Sequence, residues 1–182
     1  VLDGVKSCVP FANRAERIVV AAQQDGGIGV FLVDPKAEGV VLARQHSTAG
    51  EPQFEMRLDS VSVPSSDVLA SAEDGARALH WIAQRTAAAD CIMAAGVVDQ
   101  MTRMTAEYTA EREQFGVKIA TFQAVGQRAA DCYIDSECLR LLAQQAVSLL
   151  NDDRPAADEV TIAKMWVGDV THRVSHAAQH LH

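Results

Sequence analysis

Near Asp74 the hydrophobic pattern of the chain changes period, and that change limits its fold more than any other feature. Before it, short β-rich runs alternate with turn residues. After it, apolar side chains return at helical spacing, and no proline intervenes until Pro155. Glu73 and Asp74 supply acidic residues at a helix start, and Ile82, Met93, Val97, Met101, Met104 and Tyr108 recur at helical intervals, which predicts one helix from about 74 to 111. A second helix, from about 120 to 150, is marked by Phe122, Val125, Ala129, Cys132, Tyr133, Leu139, Leu142 and Ala146, and ends near Asn151-Asp152-Asp153. Arg154-Pro155 restarts the chain, with Pro155 suited to a first helical turn and Asp158-Glu159 to the helix dipole, and this third helix runs to about His182. Three long helices with short connections predict an up-down bundle with a fourth element missing.

The preceding residues read as strands and turns. Ile18–Ala22 and Gly29–Val33 are separated by Gln23-Gln24-Asp25-Gly26-Gly27, a connection of hairpin type. Asp34-Pro35 ends the second of these strands, and Val40–Leu42 follows. Phe54–Val63 alternates apolar and polar residues as a strand with one wet face does, and Pro64-Ser65-Ser66-Asp67 closes the β region. The fold class is therefore α+β: an antiparallel β-domain remnant over residues 1–70, then a helical bundle domain over 71–182.

Composition narrows the function. The 182 residues carry 24 acidic and 16 basic side chains, a net charge of −8, with no Lys/Arg cluster, which argues against a nucleic-acid or anionic-membrane surface. No run approaches the ~18 apolar residues of a membrane span. Cys8, Cys91, Cys132 and Cys138 form no CxxC, so free thiols in a reducing cytoplasm are expected. Cys91, Cys132, Cys138, Met93, Met101, Met104 and Met165 sit on apolar-rich stretches and read as core or subunit-interface residues. The chain begins with Val1 and stops within an amphipathic helix at His182, as part of a longer protein would.

At the break between the first two helices stands Arg112-Glu113-Gln114-Phe115-Gly116, followed by Phe122-Gln123. An Arg, amides and an aromatic ring together suit the phosphates and rings of a nucleotide cofactor. Taken one at a time, Arg112 could equally be a helix-end cation, Phe115 a plug under the loop, and Gln123 or Gln179 a solvated helix residue. The run from Tyr108 to Gln123 resembles the signature of the acyl-CoA dehydrogenases, Y-x-x-x-R-x-x-F-G-x-x-[IL]-x-x-F-Q. Phe31-Leu32-Val33-Asp34 with Gly39-Val40, the stretch Phe54–Leu69, Ala163-Lys164-Met165 and Ala178-Gln179 resemble further segments of that family in the same order.

The resemblance implies a flavoprotein that removes two hydrogens across the α,β bond of an acyl-CoA thioester, with FAD as cofactor. It also implies assembly into homo- or hetero-oligomers, dimers or tetramers, and electron delivery to an electron-transfer flavoprotein. By the same resemblance Arg112 pairs with the FAD pyrophosphate of a neighbouring subunit, Gln114, Phe115 and Gln123 line that cofactor, and Gln179 approaches it from the third helix. Two positions depart from the pattern. Cys8 replaces an aromatic residue and Pro10 a hydroxyl residue beside the flavin, and proline has neither a hydroxyl nor an N–H to donate. The catalytic base is unassigned: the family's helix position falls on Thr86, and the nearest carboxylate, Asp90, reads as a surface or interhelix acid. These departures raise a second reading, a non-catalytic or half-site partner subunit of a heteromeric dehydrogenase. His172, His176 and His180 form a stripe at i, i+4, i+8 that a transition metal can use, but no third ligand stands beside them. A polar helix face or bundle packing is the preferred reading, and no metal site is assigned.

Overall fold

A computed structural model describes residues 1–182, which form two compact units, Val1–Trp81 and Ile82–His182. The first unit holds strands β1 (Leu2–Pro10), β2 (Ile18–Gln24), β3 (Gly27–Val33), β4 (Val40–Gln45), β5 (Gln53–Val61) and β6 (Val68–Ala70). They make two antiparallel three-stranded sheets, ordered β1-β5-β4 and β2-β3-β6. One core serves both sheets: Leu2, Ile18, Val20, Val33, Phe54, Met56, Leu58 and Val61 pack in a single cluster. In β5 the alternation expected from the sequence holds, with Phe54, Met56 and Leu58 buried and Arg57 and Asp59 exposed. The β2–β3 hairpin turns on Asp25-Gly26, where Gly26 takes φ +88°, a conformation glycine accepts without a Cβ clash.

Two strands lie outside the sequence expectation. β1 contains Gly4 and Pro10 and buries only Leu2 fully, so it has no two-residue period to read; it is an edge strand, where glycine and proline are tolerated. β6 follows the Pro64-to-Asp67 turn that was expected to close the β region, and pairs with β3 through Val30 to Ala70 and Phe31 to Val68.

Helix α1 (Gly75–Glu111) begins where the backbone is crowded. A Cβ at Gly75 would collide with the Ile28 carbonyl oxygen, so only glycine allows the first turn to sit against β3. The second unit continues α1 with α2 (Gln123–Asn151) and α3 (Ala157–Leu181). Pro155 lies just before α3 rather than in its first turn, because the first bond of that helix runs from the Val160 N–H to the Ala156 carbonyl. Ala88 of α1 packs with Ala146, Leu150 and Val160; Cys91 packs with Ala143 and Ala163; Ala95 and Val98 pack with Cys132, Leu139, Val170 and Val174. Residue numbers thus fall along α2 as they rise along α1 and α3, so α2 runs antiparallel to both. Arg173 of α3 donates two 2.8 Å hydrogen bonds to Asp135 of α2 and lies 5.2 Å from the Trp166 ring centroid.

The helices stand as expected, and Cys132, Leu139 and Ala146 of α2 are buried as marked, but the buried face of α1 is not the one marked by its large residues. On α1 the inward positions are Ala88, Cys91, Ala95, Val98, Thr105 and Thr109, while Met93, Val97 and Met104 are exposed; Met165 of α3 is 70% exposed. Tyr133 of α2 is also exposed, whereas Cys91 and Cys132 are buried. Burial raises both of these thiols above the ordinary range. The Thr105 and Thr109 hydroxyls are satisfied within their own helix by the Met101 and Ala106 carbonyls, at 2.8 and 3.1 Å. No helix is long and apolar enough to cross a membrane.

Leu139 is fully buried where all three helices meet. Leu139→Ala is expected to cost about 2–5 kcal/mol, read as a fall in the denaturant midpoint; a change within error would show that the seam can collapse around the gap.

Candidate functional site

The segment between α1 and α2 folds into a two-strand hairpin. After α1 come β7 (Glu113–Gln114) and β8 (Val117–Lys118), then a 3-10 turn over Ile119–Thr121 that leads into α2. Glu113 faces Lys118 and Gln114 faces Val117, so the loop is the two residues Phe115 and Gly116. Their φ values are +57° and +80°, both positive as in a type I′ turn. Gly116 accommodates this freely. For Phe115 the left-handed region costs about 1–2 kcal/mol.

The surrounding bonds hold that strain. The Ile119 N–H donates to the Arg112 carbonyl at 2.9 Å, closing the base of the hairpin. Lys118 Nζ donates to the Glu111 carbonyl at 2.9 Å and pairs with Glu113 at 3.0 Å. The side chain of this strained residue is not buried. Phe115 is 93% exposed, and its one ring neighbour is Phe122, edge-on with centroids 6.3 Å apart. The reading of Phe115 as a plug under the loop is thereby excluded.

Arg112, Gln114 and Gln123 are likewise exposed. The Arg112 guanidinium makes no ion pair or hydrogen bond within the chain, although Glu111 and Glu113 flank it in sequence. Gln114 Nε2 donates only to the adjacent Glu113 carbonyl, at 2.8 Å. Gln179 is exposed in the last turns of α3. The end of α3 is tied to the end of α1: the Tyr108 ring stacks on His182 at 4.3 Å, and the Tyr108 hydroxyl donates to the His182 carbonyl at 3.1 Å. Arg112, Gln114 and Phe115 thus share one hairpin, Gln123 opens α2 beside it, and Gln179 lies at the same end of the bundle. The set offers a free guanidinium, three amide side chains and an open ring, which is chemistry for an anionic ligand with aromatic parts.

The β-unit positions that depart from the family pattern also have a definite geometry. The β1–β5 register slips between Lys6 and Val9, and Cys8 sits in that irregularity with φ +56°. Its N–H donates to Gln45 Oε1 at 2.8 Å. Gln45 occupies the same cross-strand row as Gln53 and Pro10. Of the backbone donors at Cys8 and Pro10, one is therefore engaged within the chain and the other does not exist. Sequence reasoning missed Gln45; it is remote in sequence and reaches Cys8 only because β4 and β1 flank β5.

Thr86 is exposed, and Asp90 is half-buried with its carboxylate 3.5 Å from Lys164 Nζ of α3. Asp90 thus bridges two helices as an ion-pair partner, in keeping with its reading as an interhelix acid. His172, His176 and His180 are all exposed along α3, so the stripe is a polar helix face and takes no part in the bundle core.

Residues 73–182 match the model of the acyl-CoA dehydrogenase C-terminal domain. Across all of this chain the sequence is 32% identical to acyl-CoA dehydrogenase FadE28 of Mycobacterium tuberculosis, of which it covers 51%, and 32% identical to FadE27 of the same organism, of which it covers 50%. The fold superposes on a chain of the ChsE4–ChsE5 complex from Mycobacterium tuberculosis with TM-score 0.92 and 33% identity, covering 99% of this chain and 48% of that one. It also superposes on the Tcur3481–Tcur3483 steroid ACAD variant with TM-score 0.87 and 34% identity, covering 99% of this chain and 48% of that one. The fold and the matched domain make this an α+β chain built on a dehydrogenase-type C-terminal bundle. The chain belongs to the acyl-CoA dehydrogenase family. It spans about half the length of the relatives it matches.

Because Phe115 is strained and touches little, Phe115→Asn is expected to raise stability by about 1 kcal/mol through relief of the left-handed penalty, seen as a higher melting temperature. A loss of stability would mean that the ring supports the hairpin from within the chain.

Proposed function

We propose that this chain is part of an FAD-dependent acyl-CoA dehydrogenase and that its hairpin contacts an FAD held by a neighbouring subunit. The observation that carries the proposal is Arg112, a guanidinium without a partner on a closed hairpin of fixed shape. Arg112 would hold the pyrophosphate, since a guanidinium can give two N–H bonds to phosphate oxygens. The Gln114, Gln123 and Gln179 amides would offer hydrogen bonds to its polar edges, and the Phe115 ring would offer an apolar surface. When bound, FAD supplies hydride acceptance for the α,β-dehydrogenation of an acyl-CoA thioester. No residue of this chain is assigned as the base, since Thr86 has no suitable proton acceptor and Asp90 is paired with Lys164.

On this reading residues 1–70 are the later part of the family's central β-domain and residues 71–182 its C-terminal bundle. The substrate is an acyl-CoA, the electron acceptor an electron-transfer flavoprotein, the assembly a homo- or hetero-oligomeric dimer or tetramer, and the setting cytoplasmic.

One observation favours a second reading. The donor set at Cys8 and Pro10 does not fit a flavin, because Gln45 holds the Cys8 N–H and Pro10 has none. The chain is then a half-site or non-catalytic subunit that lends Arg112 and its neighbours to the FAD of a related chain.

Two measurements test these readings. Arg112→Ala is expected to lower FAD affinity about tenfold or more without lowering the melting temperature, while unchanged affinity would remove Arg112 from the site. Flavin stoichiometry separates the two readings. One FAD per chain in protein expressed alone, reduced on adding acyl-CoA, would defeat the partner-subunit reading. One FAD per two chains, acquired only on co-expression with a related subunit, would defeat the self-sufficient enzyme. Absence of flavin from every preparation would defeat both.

A further inference from the structure

The exposed histidines of α3 stand apart from the residues assigned to the cofactor. His176 Nε2 and His180 Nε2 lie 3.2 Å apart, one helical turn from each other, with their ring centroids at 4.3 Å. Two Zn–N bonds of about 2.0–2.1 Å place their nitrogens roughly 2.9 Å apart at a right angle and roughly 3.3 Å apart at the tetrahedral angle. The observed separation, which within the chain is a hydrogen bond between the two rings, falls between these values, so one ion can replace the shared proton once both rings turn their Nε2 lone pairs toward it. His172 stacks on the other side of His176 with centroids at 6.5 Å, farther than the His176–His180 pair.

The charge around the pair does not oppose a cation. His176 lines a groove of about 680 Å³ between α2 and α3 together with Arg128, Asp131, Asp135, His172 and Arg173. Arg173 is already neutralised by its two 2.8 Å bonds to Asp135, and the lining holds one further carboxylate, Asp131, for its one further guanidinium, Arg128. The chain has no group of three or more His, Cys, Asp or Glu side chains arranged to hold a metal ion, so an ion held by this pair would keep water at its remaining positions.

We propose that His176 and His180 form a two-histidine chelate for a late first-row divalent metal ion such as Ni²⁺, Cu²⁺ or Zn²⁺, the ions that imidazole favours. The chelate spans Gln179, so an ion there fixes the final turns of α3. It does not depend on the cofactor reading, because neither histidine is assigned to the cofactor.

Titration calorimetry with NiCl₂ on the protein as purified, with any subunit that co-purifies, tests the site. The expected result is one ion per chain, affinity lost at least tenfold in His176→Ala and in His180→Ala and retained in His172→Ala, and a melting temperature raised by Ni²⁺ in the wild type but not in His176→Ala. Failure to bind, or equal affinity in wild type and His176→Ala, overturns the proposal. So does a loss in His172→Ala as large as that in His180→Ala, which would mark a different pair as the chelate. Both proposed ligands are exposed, so circular dichroism of each variant is expected to match the wild type.

Discussion

Ala88, Cys91 and Ala95 of α1, Ala143 and Ala146 of α2 and Ala163 of α3 are the side chains through which the three helices meet. Small residues on facing positions let helices pack closely and leave little freedom to slide, since each methyl group or thiol must find its own gap. The larger Leu139, Val170 and Val174 fill the seam toward the hairpin end. The orientation of that end follows from this packing. Tyr108 and His182 tie α1 to α3 there, and Arg112 emerges one residue after α1 stops. A loose seam would leave the guanidinium on a moving arm, whereas a close-packed one gives it a fixed starting point.

The hairpin adds a second level of order. Only two ladder pairs join β7 and β8, too few for an isolated hairpin to persist in water. It persists because both ends are anchored in long helices and because Lys118 bonds to Glu111 and Glu113 together. That anchoring lets Phe115 occupy a left-handed conformation that a bulky residue avoids. An asparagine would serve the turn better by backbone preference alone. An aromatic ring kept there and left 93% exposed is therefore not explained by the folding of this chain, and a role outward from it is the consistent account.

Much of the architecture could be read from the sequence because its signals were local. The change of period near Asp74, the Asp25-Gly26 turn and the alternation in β5 each fix an element within a few residues. What could not be read depended on remote partners. β1 has no period of its own and is defined by β5, while β6 is three residues long and exists because β3 is beside it. The inward face of α1 was also hidden. Its apolar residues surround the helix, so a search for large side chains picks Met93, Val97 and Met104 over the alanines, the cysteine and the threonines that face the neighbours. At the site the residue types were legible as a motif, but the strain at Phe115 and the lack of a partner for Arg112 belong to three dimensions.

For the proposed cofactor contact, the β unit gives the strongest physical ground for asking which chain would hold the cofactor. By the resemblance, the strand would present an aromatic ring at position 8 and a hydroxyl donor at position 10 to a flavin. Here both differ: Pro10 has neither hydroxyl nor N–H to give, and Cys8 has no ring, while its own N–H is directed at Gln45. Recovering the Cys8 donor requires breaking a 2.8 Å bond and turning a residue at φ +56° that the strand irregularity holds in place. No comparable obstacle stands at Arg112, whose donors are unengaged. The two units thus differ in the donors that they leave unengaged, which supports the proposal of a subunit that contributes to a neighbour's site over one that completes its own.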